Sequence, residues 1–457
     1  MTKRGTIGRP VAIGSSALLV ALAMSACSGT TSSTQSREAG ATATFQVFAE
    51  PDDKGAAVLS AINSAKVSID IPIYSIGGDP NFDGALAAAK QRGVNVRVMM
   101  NGGYGAYVPG AQSFTKALLA APGTGTAKVN WSSNNFSITH QKSVIVDAAD
   151  ASGAPLDAKA LPTATAQLVI STGNFNGFKG SSFYLARDYA LVTKDPKLIT
   201  TVESAFASDF GCAGSTVINP ANLTVADRLV WSNGTTGANA GQTGSYPPGG
   251  NYPPPSALAA GAQNQGNAKS EWLAVIQGAK PGDVLRVTNE EMSDTDVINA
   301  LVAAAKSGVD VRVIMTMPDT TKSSGAAAMA ALNAIASAGP KSSVHLFAKA
   351  DSVLYIHSKF AAINGSDAVV GSQNFSQTSM QLNRELGVRL GAEDQSAIAV
   401  LAGTFDTDWA VTANVTVLPG ASPAPSTAPS RSAPQKQSLA DAGAPPQGTT
   451  NQKCGPI

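Results

Sequence analysis

Two short segments carry the residues best suited to chemistry: THQKSVIVD, with His140 and Lys142, and IHSKFAAIN, with His357 and Lys359. They use two of the three histidines in 457 residues; the third, His345, has no such neighbourhood. Each segment leads into an apolar stretch that ends in a small-residue turn. QLVISTGNF places Thr172 and Asn174, and DAVVGSQNF places Ser372 and Asn374. An acidic residue follows in each copy, Asp188 in ARDYALV and Glu385 in NRELGVRL. Cleaving a phosphodiester calls for these groups: a nucleophile, an acid for the leaving oxygen, and donors for the charged phosphoryl oxygens. Imidazole titrates near about pH 6.5, so one ring can be neutral while the other is protonated. Two lysines and two asparagines furnish the cradle, and Asp188 and Glu385 are candidates to hold an imidazole N–H and fix its tautomer. This arrangement requires no metal or other cofactor, and the sequence lacks the clustered ligand spacing of a zinc site.

The elements that must position these residues occur twice. AAVLSAINSAK, VSIDIPIYS, FDGALAAAKQRG and VNVRVMMN in the first half are matched by EWLAVIQGAK, DVLRVTNEE, DVINALVAAAKSG and VDVRVIMT in the second. Read in order, each set predicts helix, strand, helix, glycine turn and strand, and the near-identity of AAAKQRGVNVRVMM and AAAKSGVDVRVIM marks a duplication. Gly93 and Gly308 fall where a helix must end in a left-handed turn. Val96, Val98, Val309, Val311 and Val313 read as strands buried in a parallel or mixed sheet. Each histidine then lies at the start of a strand, with its lysine on the same face by the period of two. The expected fold is α/β: two duplicated lobes, each a mixed β-sheet flanked by helices, related by a pseudo-twofold axis with one active site between them. Composition sets the boundaries at 45–232 for lobe 1 and 269–417 for lobe 2. A flexible linker covers 27–44, a Gly/Pro-rich linker 233–268, and a Pro/Ala/Ser-rich tail 418–457.

The paired motifs resemble those of the phospholipase D superfamily, H-x-K-x4-D followed by G-S-x-N. The second copy has His357, Lys359, Gly371, Ser372 and Asn374 at the family spacing, with Asn364 in place of the usual Asp. The first has His140, Lys142 and Asp147, but STGN replaces GSxN and a longer Ala- and Pro-rich connection precedes it. By resemblance, one histidine attacks phosphorus to give a phosphohistidine while the other protonates the departing alcohol and then activates water or an acceptor alcohol. We assign His140 as nucleophile and His357 as acid, although pseudo-symmetry leaves that order open. Glu385 lies 11 residues beyond Asn374, as the family pattern expects, whereas Asp188 lies 14 beyond Asn174. Thr172 and Ser372 are candidate substrate-binding residues that could equally shape the turns. Asp147 and Asn364 are expected to support strand and loop. Tyr74 and the pair Glu290 and Glu291, at equivalent strand ends, could line the cleft or be core and solvated surface, and stay outside the expected site.

Residues 1–26 read as an export signal: Lys3, Arg4 and Arg9, a short apolar run, then small residues before Cys27. The run is too short to span a membrane. Small residues before a cysteine resemble a bacterial lipobox, which would put a lipid on Cys27 and anchor the protein outside the cytoplasmic membrane. Met24 stands where Leu is usual, and ordinary cleavage with secretion is the alternative. Without the signal, 29 basic residues face 31 acidic ones, a net charge of −2. Nonspecific nucleic-acid binding draws on a basic surface, so this balance disfavours DNA as the main partner. Charged residues make up only 14% of the chain and apolar ones 43%, which suits an exported protein with ample core. In an oxidising compartment Cys212 and Cys454 are candidates to pair. The expected activity is that of an exported, metal-independent phosphodiesterase that hydrolyses or transphosphatidylates phospholipid head groups at a membrane surface. The alternatives are an extracellular nuclease of the same superfamily and a non-catalytic cell-surface binding protein on the same frame. Because one chain supplies both halves of the site, a monomer suffices.

Overall fold

The computed structural model describes residues 44–76, 79–101, 108–132, 136, 138–175, 186–211, 228–233, 266–349, 354–418 and 455–456. The export signal, Cys27, Cys212, Cys454 and most of both composition-defined linkers and the tail lie outside them. No described helix is long and apolar enough to cross a membrane.

Lobe 1 is built on β1 (Phe45–Glu50), α1 (Ala56–Ser64), β2 (Ser68–Ile73), α2 (Pro80–Gln91), β3 (Asn95–Met100), α3 (Val108–Ala120), β4 (Ala127–Trp131), β5 (Ser143–Val146), β6 (Gln167–Ser171), β7 (Ala186–Thr193) and α4 (Pro196–Phe210). Lobe 2 comprises β8 (Leu229–Asn233), α5 (Ala268–Gly278), β9 (Val284–Thr288), α6 (Thr295–Lys306), β10 (Asp310–Thr316), α7 (Ser323–Ala336), β11 (Ser343–Phe347), β12 (Tyr355–Ile356), β13 (Phe360–Ile363), β14 (Asp367–Gly371), β15 (Arg384–Leu390), α8 (Gln395–Trp409) and β16 (Val415–Leu418). A last strand, β17 (Gly455–Pro456), closes the chain. Both sheets are mixed. The orders are β1-β7-β6-β5-β2-β3-β4-β17 and β16-β11-β10-β9-β13-β14-β15-β8. In each, the strand carrying the duplicated valines is parallel to its neighbours, and the strands after the H-x-K segments run antiparallel.

Local chemistry explains the repeat. Asp79 and Asp294 each accept hydrogen bonds from the first free backbone N–H groups of the helix that follows, α2 and α6. Gly93 and Gly308 leave those helices with φ of 92° and 99°, the left-handed turn expected from sequence. The apolar faces of α1, α2 and α3 cover one side of the first sheet, and those of α5, α6 and α7 one side of the second. A third core mixes the lobes: Leu191, Leu198, Val202 and Phe206 of lobe 1 pack in one cluster with Val370, Leu386, Leu401 and Phe405 of lobe 2. The helices α4 and α8 therefore form a middle layer between the sheets.

Three features differ from the sequence reading. β8 was expected within lobe 1, whose boundary was placed at 232, but it pairs with β15 at the edge of the second sheet, Arg384 opposite Asn233. β1 precedes the first duplicated helix and pairs with β7; its FQVFAE alternation buries Phe45 and Val47. β17 belongs to the segment expected to be an unstructured tail, yet Gly455 and Pro456 add to the open edge at Trp131 and Asn130 of β4. A compositional boundary cannot reveal an edge strand whose pairing is set by distant chain.

Two buried arginines lock the middle layer crosswise. Arg384, on β15 of lobe 2, makes a bidentate pair with Asp209 of α4 in lobe 1, at 2.8 and 3.0 Å. Arg187, on β7 of lobe 1, makes the equivalent pair with Asp408 of α8 in lobe 2, at 2.8 and 2.9 Å. Removing one partner strands a buried charge, at a cost of ~3–5 kcal/mol. Asp209→Ala is therefore expected to lower unfolding free energy by about that amount. Asp406→Ala, which frees Arg286 from a half-exposed partner, should cost under about 1 kcal/mol. Urea titration of the two variants side by side checks the difference.

Candidate active site

The H-x-K segments do not end within their own lobes. The segment before β5 crosses to the second sheet: Thr139 bridges Arg384, and the N–H groups of His140 and Gln141 donate to the Arg384 carbonyl at 2.9 Å. The segment before β13 crosses the other way, where β12 pairs with β7 and the N–H groups of His357 and Ser358 donate to the Arg187 carbonyl. Each histidine thus docks beside a strand of the opposite lobe, next to that strand's carboxylate. His140 Nδ1 lies 2.9 and 3.0 Å from the Glu385 oxygens. His357 Nδ1 lies 2.9 and 3.0 Å from those of Asp188. An ionised carboxylate can only accept, so Nδ1–H is the donor in both rings and Nε2 is the reactive atom. Glu385 and Asp188 are orienting groups that act in trans.

The carboxylates are themselves held. Glu385, fully buried, takes Ser372 Oγ at 2.5 Å, Asn383 Nδ2 at 2.9 Å, and the Ser379 hydroxyl. Burial pushes its carboxyl up, but the charge and hydrogen bond of His140, Lys142 and the Ser372 hydroxyl outweigh that and hold it below the ordinary range. Asp188 takes Thr172 Oγ1 at 2.6 Å and is likewise held down against burial by His357, Lys359 and Thr172. The Thr172 and Ser372 hydroxyls also accept the backbone N–H of Tyr189 and Leu386. Each hydroxyl's one proton is therefore spent on the carboxylate. Of the two expectations for Thr172 and Ser372, a substrate contact or a shaping of the turn, these hydrogen bonds match the second, tying each turn to its carboxylate and strand.

The replacement of GSxN by STGN in lobe 1 follows from the length of the carboxylate. Asp188 is one methylene shorter than Glu385 at the equivalent register position. A Cβ on Gly173 would lie 2.3 Å from Asp188 Oδ2, so the turn gives up its side chain there to let the shorter acid approach. In lobe 2 the constraint moves to Gly371, where a Cβ would lie 2.3 Å from Gln373 Oε1 and 2.5 Å from the Cα of Gly387.

Lys142 and Lys359 are fully buried and each donates to the carbonyl of its own histidine. Asn174 and Asn374 end the turns; each has a buried side-chain carbonyl without a partner among the described residues. Asp147 accepts from the N–H groups of Lys66, Val67 and Ser68, and its φ is 51°. Asn364, with φ of 42°, accepts from Val284 N and donates to Asp283. Both pin the end of a strand after the H-x-K segment, and both tolerate the left-handed conformation, which is why Asn can stand for Asp.

The halves differ electrically. Burial lowers His140 to about 4, against the pull of Glu385, so its ring is neutral at physiological pH. Burial also brings the Lys142 ammonium down to about 7. Tyr74 stands edge-on to His140, with ring centroids 4.9 Å apart. His357 instead has carboxylates at both nitrogens: Asp188 at Nδ1, and Glu290 Oε2 at 3.3 Å from Nε2.

A family model described as "Cardiolipin synthase, PLD-like domain" matches residues 58–210 and 273–409, one match in each lobe. The chain belongs to the phospholipase D superfamily. Members act on phosphodiester bonds. Among solved structures, the phosphatidylserine synthase of Haemophilus influenzae Rd KW20 aligns with a TM-score of 0.51 at 10% identity, covering 82% of this chain and 87% of its own, which shows the shared two-lobed fold. Nuc from Salmonella typhimurium aligns at 24% identity over 31% of this chain and 86% of its own, with a TM-score of 0.27. Polyphosphate kinase from Porphyromonas gingivalis aligns at 14% identity with a TM-score of 0.48 over 81% of this chain, which spans 48% of that protein's length. No curated protein sequence matches the chain.

Within this phospholipase D frame, all eight residues expected to be catalytic lie on the two crossed sets: His140, Lys142, Asn174 and Asp188 from lobe 1, and His357, Lys359, Asn374 and Glu385 from lobe 2. Sequence reasoning missed Ser379 and Asn383, carried on and just after a π-helical turn over Thr378–Leu382. A buried carboxylate needs several donors, and the run SQTSMQLN ahead of Glu385 was the signal. His345 lies apart from the site, stacked on Trp409 at 3.6 Å.

Two outcomes are expected. Gly173→Ala should push Asp188 off His357 and lower kcat by about 100-fold, the low end of a lost general-acid contribution, while circular dichroism stays native. kcat/KM reports groups of the free enzyme. It should fall as pH drops through about 4, where His140 gains a proton and loses its Nε2 lone pair, and fall again as pH rises through about 7, where Lys142 loses its charge. A flat profile across neutral pH would contradict the buried-lysine assignment.

Proposed function

We propose that this protein is an exported phosphodiesterase that acts on phospholipid head groups through a phosphohistidine. The observation that carries the reading is the crossed pairing of each histidine with the other lobe's carboxylate, combined with the unequal surroundings of the two rings. His140, neutral and held by Nδ1–H, presents the Nε2 lone pair to phosphorus. As the N–P bond forms, the bond from phosphorus to the alcohol oxygen breaks, and His357 Nε2–H gives its proton to that oxygen. Water, or an acceptor alcohol, then attacks phosphorus and passes its proton to His357 while the N–P bond breaks and His140 is restored. Lys142, Lys359, Asn174 and Asn374 hold the phosphoryl oxygens as charge builds on them.

Phospholipid is favoured as substrate by the family's description, by the lipid product in the name of the phosphatidylserine synthase, and by a mature chain that is not basic. Export, a lipid on Cys27 and residence on the outer face of the cytoplasmic membrane belong to the same proposal; loss of detergent-phase partitioning in Cys27→Ser checks the anchor. A Cys212–Cys454 bond is supported by its flanks. Asn130, opposite Pro456 in the β4–β17 pair, donates through Nδ2 to the Phe210 carbonyl at 3.0 Å. Trapping of free thiols in the unfolded, unreduced protein would refute it.

Head-group release from phosphatidylcholine vesicles in EDTA, with 1-butanol present, is the direct test. Choline and phosphatidylbutanol are expected from the wild type. His140→Ala and His357→Ala should each lose nearly all turnover, the double variant scarcely more, because groups that act as one unit are not additive. His345→Ala should change little. Cleavage of plasmid DNA without lipid turnover would move the protein to the nuclease branch, and activity surviving both single substitutions would end the two-histidine mechanism.

A further inference from the structure

The strand ends that meet at the site are equivalent by register, since Ser68 pairs with Asn95 at the start of β2 and Val284 with Asp310 at the start of β9. Counted from there, Tyr74 of lobe 1 corresponds to Glu290 of lobe 2. Tyr74 brings an uncharged ring beside His140, with Lys142 Nζ 5.4 Å from its centroid. Glu290 brings a carboxylate to the same place in the other half. Its Oε2 lies 3.3 Å from His357 Nε2, 3.2 Å from Lys359 Nζ and 3.5 Å from Asn374 Nδ2, and its Oε1 accepts from the Tyr355 hydroxyl at 2.7 Å. Three groups, two from the H-x-K segment and one from the turn of the lobe 2 motif, converge on a single carboxylate oxygen. That point is where the lobe 2 half of the site would hold a phosphoryl oxygen. The side chain is 27% exposed, so solvent reaches it. Lys359 and His357 keep the carboxyl ionised, holding it well below its ordinary range against the effect of burial.

We propose that Glu290 is a specificity-determining residue, an internal anion that occupies half of the phosphoryl cradle in the free protein and must be displaced by substrate. The inference rests on the cradle assigned under the proposed function. A tethered carboxylate competes at a high effective concentration, so a small anion that meets only the His357–Lys359–Asn374 half gains little by replacing it. A phosphodiester reaches the His140–Lys142–Asn174 half as well, and those added contacts drive the exchange. Glu290 thus screens free anions from a site whose cations would otherwise retain them, and it does so in one half alone because Tyr74 carries no charge.

The test is binding of inorganic tungstate to the full chain by calorimetry at neutral pH, a readout independent of turnover or of any lipid. Glu290→Gln is expected to bind tungstate at least about tenfold more tightly than the wild type, a gain of about 1.4 kcal/mol. Glu290→Asp retains the charge but withdraws it from the cradle, and is expected to tighten binding in part. Glu290→Ala, compared at matched thermal stability, should repeat the Gln result. Equal or weaker binding by Glu290→Gln and Glu290→Ala, or no binding by any form, would overturn the proposal. So would an Asp variant indistinguishable from the wild type, because the effect would then be one of field and not of occupancy. Tightening without any lipid turnover would leave this inference standing and remove the lipid reading instead.

Discussion

The structure turns on an exchange between halves: the backbone of each histidine segment is bonded to a strand of the opposite lobe, and the side chain that orients the imidazole follows immediately on that strand. Arg384 and Arg187 make this possible. The carbonyl of each accepts the N–H groups at the neighbouring histidine, while the guanidinium of each is anchored to an aspartate on the other lobe's last helix. One residue therefore sets both the distance between lobes and the location of the histidine, and the next residue, Asp188 or Glu385, fixes the tautomer. Neither lobe contains a finished catalytic unit. The shared apolar core between the sheets, with α4 and α8 in it, is what holds two half-sites within bonding distance.

Much of this was legible in the chain. The duplicated helix–turn–strand pattern is local, set by Asp caps, a left-handed glycine and period-two valines, and sequence reports local rules well. The paired H-x-K segments and the turn asparagines were readable because they recur. What the sequence could not show is which carboxylate serves which histidine. Spacing alone suggests partners within a copy, yet the pairing is in trans, because it depends on how two sheets face one another. The sequence left Thr172 and Ser372 between a substrate contact and a turn-shaping part for the same reason: the buried acid that each hydroxyl meets lies on a strand further along the chain. β8 and β17 escaped because edge strands are completed by chain far away in sequence, through linkers whose composition carries no pairing signal.

The departure of the first copy from the family turn illustrates how a motif letter can be a packing statement. The glycine of GSxN serves a close approach between β14 and β15, where Gly371 faces Gly387. In the first copy Ser171 faces Ala190, and the tight contact lies two positions later, under Asp188. Shortening the acid from Glu to Asp and moving the glycine are one change seen at two places. A motif search that scores the letters independently counts it as two defects, whereas the imidazole of His357 is held at the same distance from its carboxylate as that of His140.

Placing both half-sites in one chain has a further physical consequence. In a symmetric dimer of a single lobe, both histidines would share one environment, and the assignment of nucleophile and acid could be made only by the substrate's direction of entry. Here the two rings are made unequal before anything binds. His140 has a buried, aromatic neighbourhood that favours the neutral ring; His357 faces a carboxylate at each nitrogen. In the mechanism we propose, this inequality makes His140 the lone-pair donor and His357 the acid, and it puts Glu290 on the side of the acid. A substitution that restored symmetry, Glu290→Tyr, would be expected to keep the fold and the crossed pairs but to make the surroundings of the two rings more alike, seen as a shift of the imidazole signals of His357 toward those of His140 in nitrogen-detected NMR spectra at one pH. Unchanged His357 signals would mean that Asp188 alone sets the ring's state.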